Sequence, residues 1–490
     1  MSQRLLVRDV VCVGLLACAA VALHGYHFGI EDQLVSLSAV KQHLDPTLYP
    51  HDTAALLEMR LALCDDLVAW SVRASHLPVD AVVFAWHLAS MFLFLLGCWL
   101  LVRRLVRGRA PALAGVATVV ILLPFPVAGT HLGLMEPYFH PRGLAIAAVL
   151  FAFLASIDRR KASIGWLAVA GLLHPLVAGW ALLHVVIQAL PGQPLRRLGG
   201  AAAGSFLAAT VLVQPGSDDG VWRGLMTLPQ LRFYFPLRWT WYEWAGALVP
   251  LAALAWMAWT RRDDTAPEGR MFSLVARRLA LSGALGVLVS VLVTSVPDPR
   301  MAATQPMRCL HLVYVAWFLL GGALVAERWL GRRPIRWGLC FLPLCVVVVL
   351  TQRQFPFSPH IEWPGVPTQN SWVEAYDWIR RSTPRDALFA MNPRYSREPG
   401  SDSHGFRPLA ERSALAESVT SIGAAVLSPA LAARWTDEVG AQTGWSHFTI
   451  EDMRRLKRTR GVTWVLIEQP GIPELSCPYR NARVMVCKID

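Results

Sequence analysis

Charge is scarce in this chain: 16% of its 490 residues are Asp, Glu, Lys or Arg, 54% are hydrophobic, and the mean hydropathy is +0.40. Apolar runs of about 16 to 25 residues recur along most of its length, the size of membrane-crossing helices, which excludes a soluble fold. Acidic residues are fewer than basic ones, 34 against 46, leaving a formal charge of +12. The arginines gather in short loops between apolar runs, as on the cytoplasmic side of membrane proteins, so nucleic acid is excluded as a partner. Other features are missing altogether. No small-x-small cleavage site leads from the apolar start into a soluble domain, so residues 1 to 24 read as a retained first span. No phosphate-cradling glycine loop, nucleophile elbow or ATP-binding module occurs, which removes an ATP-driven pump and a nucleotide cofactor. The expected span interiors are nearly free of charge, with His87, His174 and His184 the main polar exceptions, and this disfavours ion-coupled transport. No internal repeat, low-complexity tract or zinc-like cysteine spacing is present.

What remains is a polytopic α-helical membrane protein. Arg4 and Arg8 before a span at 9–24 place the amino terminus inside, and the loop 25–80 outside. Spans at 81–102, 111–129 and 142–157 then alternate with the basic clusters Arg103 to Arg109 and DRRK at 158–161. The next run, 164–190, keeps Arg196 and Arg197 inside only as two short half-helices turning at His174-Pro175, since the residue before proline is biased out of helix. Spans at 199–214, 243–260, 274–295, 308–326 and 335–351 complete about 11, with an outside carboxyl terminus.

Composition divides the chain into a multi-spanning domain, 1–351, and a soluble extracytoplasmic domain, 352–490. In the latter, SWVEAYDWIRRSTP predicts an amphipathic helix capped by Ser371 and ended before Pro384. DALFAM (386–391), VTWVLIEQ (462–469) and ARVMVCKI (482–489) are strand-like, giving an α/β or α+β module. Cys477 and Cys487 are the only cysteines of this domain and can bridge neighbouring strands in an oxidising compartment. The outer loop 25–80 accommodates two helices along the membrane surface, one with Leu61, Leu67, Val68 and Val72 on its apolar face.

Candidate chemistry lies on the outer face. The stretch HGYHFGIEDQ (24–33) places Glu31 and Asp32 directly after the first span, with His51 and Asp52 in the same loop. The bland alternative for the acidic pair is a solvated helix cap. The loop MEPYFHPR adds Glu136, His140 and Arg142, and VPDPRMAATQPMRCLHLVY adds Arg300, Arg308 and His311. Arginine entering a bilayer needs an anionic partner or water, unless it snorkels to the interface, and its fork of donors suits phosphate. YEW (242–244) and the aromatics before it suit an interfacial belt.

A first span followed at once by an outward acidic pair, a long loop with surface helices, further spans and a terminal outer domain resembles the GT-C superfamily of membrane glycosyltransferases. The strings YHFGIEDQ, LDPTLYPHD, MEPYFHPRG, QPMR and GFRPLAER also resemble a group of bacterial multi-pass proteins of unknown function. The GT-C resemblance implies an inverting glycosyltransferase with a polyprenyl-phosphate-linked sugar donor and an envelope lipid, glycan or protein acceptor. It implies Asp32 or Glu31 as base or metal ligand, a divalent ion as the only cofactor in question, and Arg308 and Arg142 at the departing phosphate. Glu136, His140, His51, Asp52 and Arg300 join as substrate-binding candidates. The location expected from composition is the bacterial cytoplasmic membrane. The alternative class is a non-enzymatic carrier, flippase or assembly scaffold for envelope lipids or glycans.

Overall fold

The computed structural model describes residues 7–53, 56, 63–158, 160–190, 200, 204–205, 219–295, 300–331, 333–351, 355–419 and 421–490. The longer helices among them are, in chain order, α1 (Val7–His24), α2 (Gln33–Leu44), α3 (Cys64–Ser75), α4 (Val79–Leu105), α5 (Arg109–Ile121), α6 (Pro141–Ile157), α7 (Ala162–Leu173), α8 (Pro175–Ala189), α9 (Asp219–Met226), α10 (Trp241–Thr260), α11 (Pro267–Thr294), α12 (Leu310–Val325), α13 (Pro334–Thr351), α14 (Ser371–Ser382), α15 (Pro429–Ala441) and α16 (Ile450–Arg460). The strands are β1 (Leu388–Met391), β2 (Ser413–Ala414), β3 (Trp464–Glu468), β4 (Ser476–Arg480) and β5 (Val484–Lys488). The chain forms two compact units: a helical unit, Met1–Gly25, Trp86–Val213 and Thr227–Thr351, and a sheet unit, Tyr26–Ala85, Gln214–Met226 and Gln352–Asp490.

Five helices among the described residues, α1, α4, α11, the run Arg300–Leu330 and α13, are long and apolar enough to cross a membrane. The shorter α5 to α8 are also apolar. The expected span 111–129 is helical only to Ile121, and the expected span 199–214 lies mostly outside the described residues. The expected break at His174-Pro175 is present: His174 closes α7 in extended conformation and caps α8, whose first residue is the proline. Helices α5 and α12 approach closely because Gly115 and Gly322 carry no side chain. A Cβ at Gly115 would collide with the Leu319 carbonyl oxygen, and one at Gly322 would sit 2.8 Å from that of Ala114. Arg278, buried in α11, donates to the carbonyls of Gln188 (2.5 Å) and Leu190 (2.9 Å) at the carboxyl end of α8. A cation there meets the negative end of the helix dipole and satisfies carbonyls that the helix cannot.

The sheet unit carries a mixed five-stranded sheet ordered β2-β1-β3-β5-β4, with β1 parallel to β2 and β3, and β5 antiparallel to β3 and β4. Alternate residues of β1 serve two cores. Phe389 and Met391 face Trp372, Tyr376 and Ile379 of α14, while Leu388 and Ala390 face the side held by Met453 and Leu456 of α16. A sheet covered on both faces explains why LFAM is wholly apolar. Helix α14 is capped by Asn370, not Ser371: the Asn370 Oδ1 accepts from the backbone N–H groups of Trp372 and Val373. Ser371 is already the first helical residue, so the extended backbone from which a side chain reaches those two donors belongs to Asn370. Cys477 and Cys487 form a disulfide between β4 and β5.

Candidate functional site

In the sheet unit the stretch 26–33 is held on both sides. Tyr26 N–H donates to His360 O (3.1 Å), Glu362 N–H to Tyr26 O (2.8 Å), and Gly405 N–H to Gly29 O (2.7 Å). Gly29 (φ 76°) and Glu31 (φ 44°) both take left-handed backbone, which turns the chain into α2. Gln33 Oε1 accepts from Gly29 N–H (2.5 Å), so the glutamine of EDQ closes this turn. Asp32 occupies the cap position of α2 but makes no side-chain capping bond, and Glu31 is exposed.

Beneath the turn lies a network that no sequence spacing signals. Glu362 Oε1 sits 2.9 Å from His404 Nε2 and 3.4 Å from His27 Nδ1, its Oε2 accepts from Phe28 N–H (2.9 Å), and all three side chains are buried. Burial works against ionising Glu362, but the hydrogen bonds from His27 and His404 and the charge of His404 outweigh it and hold its pKa down to about 2. His404 is shifted upward, burial being overcome by the hydrogen bond to and charge of Glu362. These groups bind the 26–30 segment to the 355–405 segment and serve the fold.

His51 and Asp52 have structural partners too. Asp52 is buried against Arg407 (3.1 Å) and Arg434 (3.7 Å), and His51 Nε2 meets Asp386 O at 3.0 Å. Burial disfavours the Arg407 charge, but Asp52 more than compensates and raises its pKa further. Other carboxylates are paired as well: Asp66 with His43 (3.2 Å), and Asp263 and Asp264 with Arg262 and Arg261.

The helical unit brings together Glu136, His140, Arg142 and Arg308, and adds His174 and His311. Arg142, 2% exposed, donates to Glu136 Oε1 (2.7 Å). Arg308 donates through Nε to Gln305 Oε1 (2.6 Å). The charges of both arginines are felt at His140, His174 and His311. The rings of His140 and His174 lie 6.0 Å apart. Each of these histidines caps a helix whose first residue is proline, so His140-Pro141 starts α6 and His174-Pro175 starts α8 beside one another. A backbone N–H can only donate. Because His140 Nδ1 accepts that of Arg142 (3.1 Å), the neutral ring carries its proton on Nε2 and presents a donor there. His174 Nδ1 is buried with no hydrogen-bond partner among the described residues. Two guanidiniums, three imidazoles and two positive helix ends thus converge, an arrangement suited to an anion.

Arg300 begins the short helix Arg300–Ala303 of the same unit. Glu243 of the YEW stretch is occupied as a capping partner of Thr240 and by Arg232 (3.1 Å), while Trp241 and Tyr242 are exposed. Among the described residues no three His, Cys, Asp or Glu side chains are grouped to hold a metal ion.

No family model matches the chain, and no curated protein does, so the resemblance to the bacterial multi-pass group stands without a matching family. Among solved structures, the chain is similar to the archaeal oligosaccharyltransferase AglB from Archaeoglobus fulgidus in complex with an inhibitory peptide and a dolichol-phosphate. The match has a TM-score of 0.44 and 11% identity, and covers 94% of this chain and 69% of that one.

Proposed function

We propose that this chain is a GT-C-type membrane glycosyltransferase and that Arg142 and Arg308, with His140 and His174, hold the phosphate of a polyprenyl-phosphate-linked sugar. One observation carries the reading: two arginines and two helix amino termini are brought to one place, where Glu136 pairs with Arg142. Such an assembly gains stability from a bound anion. In the reaction, an acceptor hydroxyl oxygen bonds to the anomeric carbon with inversion as the bond from that carbon to the phosphate oxygen breaks. Polyprenyl phosphate leaves with the electron pair, stabilised by the arginines, and the acceptor proton passes to a carboxylate. That carboxylate is assigned to Asp32, with Glu31 beside it, on the EDQ motif. The envelope acceptor and the bacterial cytoplasmic membrane belong to the same proposal.

The test uses the full chain in lipid nanodiscs with polyprenyl phosphate, the matching polyprenol and a panel of radiolabelled polyprenyl-phosphate sugars. The expected result is binding that requires the phosphate, weakened about tenfold or more by Arg308→Gln, and turnover that Asp32→Asn abolishes. Equal binding of phosphate and alcohol would overturn the phosphate site. Tight phosphate-dependent binding with no turnover across the panel would make the protein a carrier.

A further inference from the structure

Gln305 opens the QPMR stretch in an unusual backbone. At φ 50° and ψ 58° it lies in the left-handed region, where a non-glycine residue is uncommon. Its N–H donates to Ala302 O (2.9 Å) and its carbonyl accepts from Arg308 N–H (3.0 Å), so it joins the short helix Arg300–Ala303 to the turn that carries Arg308. One position earlier Thr304 is fully buried, and its carbonyl accepts from the indole N–H of Trp180 on α8 (2.7 Å). The junction is thereby pinned to the helix whose amino end carries His174.

Both polar atoms of the Gln305 side chain are engaged. A guanidinium can only donate, so the atom 2.6 Å from Arg308 Nε is the amide oxygen, and the amide nitrogen is the one facing Tyr234 Oη (2.9 Å). Tyr234 is buried at the end of the helical turn Pro229–Tyr234, with its ring edge-on to Phe233 (4.2 Å). Tyr234, Gln305 and Arg308 therefore form one hydrogen-bonded chain within the helical unit. Because Gln305 holds Nε, the edge of the guanidinium that includes Nε is taken, and a phosphate is met end-on through the two terminal nitrogens. An amide also carries no charge. Gln305 orients Arg308 without neutralising it, whereas Arg142 is held by the carboxylate of Glu136 (2.7 Å).

We infer that Gln305, anchored by Tyr234, is a positioning residue that sets the guanidinium plane of Arg308 for an end-on grip on the lipid phosphate. This rests on the phosphate site proposed above and adds what a neutral holder contributes to it. The left-handed turn at 305 is then a local cost accepted where an arginine must be aimed.

The readout is the ratio of affinities for polyprenyl phosphate and the matching polyprenol, measured on the full chain in lipid nanodiscs. Gln305→Met is unbranched, of similar length and subject to the same backbone strain, so it removes only the amide, and the ratio should fall about fivefold. Gln305→Glu still accepts from Nε but sets a negative charge against Arg308, and should lower the ratio about tenfold. Tyr234→Phe keeps the packed ring and should lower it about twofold. In an Arg308→Gln background each change should move the ratio by less than about 1.5-fold, because the group it acts through is gone. A purely structural role would lower the melting temperature or both affinities together and leave the ratio alone. If the parent prefers phosphate and Gln305→Met and Tyr234→Phe keep that preference, the positioning role is overturned and the phosphate site stands. A parent that binds phosphate and alcohol alike overturns the site, and the positioning role with it. Should Gln305→Met fail to melt like the parent, Tyr234→Phe decides.

Discussion

Helix α8 meets arginine at both ends, and the two ends are treated oppositely. At the carboxyl end Arg278 donates to the carbonyls of Gln188 and Leu190, a cation placed on a negative helix terminus. At the amino end, His174 feels Arg308 and Arg142, and a second helix start at His140 lies alongside, so positive groups face a positive terminus. The first arrangement needs nothing more to be stable. The second gathers cations at a positive terminus, with Glu136 on Arg142, and is where the proposed phosphate would bind. Two clusters of the sheet unit are built in the first manner: Glu362 sits between two histidines and Asp52 between two arginines. The same residue types therefore meet with opposite signs in one place and with like signs in another.

Four measurements break or sharpen this contrast. The largest effect is expected from Glu362→Gln, the matched case. Depression of its pKa from an ordinary 4.5 to about 2 corresponds to a stabilisation of order 3 kcal/mol. A carboxylate with a lowered folded pKa stabilises above its unfolded value, so this contribution is complete above pH 4.5 and lost as pH falls toward 2. His404, shifted upward, contributes below its ordinary value of 6.5 and fades as pH rises through its folded one. Hydrogen-exchange protection of β1 and β3 in the full chain should peak between those limits, and the variant should flatten the acid limb. Next, Arg278→Met strands two carbonyls at the end of α8 and should cost about 2 kcal/mol in denaturant unfolding, with phosphate-lipid affinity unchanged. Arg308→Gln should do the reverse, costing about 1.4 kcal/mol of binding, a factor of ten, with stability of the ligand-free chain held or improved. Should Arg308→Gln destabilise as Arg278→Met does while leaving binding intact, the two ends of α8 are alike and the contrast fails. The smallest is Asn370→Ala, an ordinary cap, at about 1 kcal/mol of α14 stability read by local exchange.

Much of the helical unit was legible because membrane spans announce themselves by length and apolarity, and because proline marks the break at 174–175. Glu136, His140, Arg142 and Arg308 were nameable as polar residues where few are tolerated. Their convergence was not, since 140 and 308 come near one another only through helix packing. His174 was visible as the turn of a hairpin, and its twin cap with His140 is detectable in hindsight as a repeated His-Pro. In the sheet unit β1, β3 and β5 read plainly as apolar runs. The two-residue β2 is too short to pattern, and β4, SCPYR, carries a proline that argues against a strand unless it lies at an edge, as it does. Glu362 and His404 were not foreseen, because Glu362 lies 335 residues from His27 and leaves no local trace beside it.

The contact between α5 and α12 has a consequence for any genetic map of this protein. Backbone there lies against backbone at Gly115 and Gly322, so even a methyl group forces the helices apart. In a saturation screen scored by loss of growth, both glycines would rank with the arginines of the site, although neither is near the chemistry proposed. A tolerance profile taken alone would therefore draw a second active centre along that seam. Only scoring protein abundance beside activity separates a gap that must stay empty from a residue that must act.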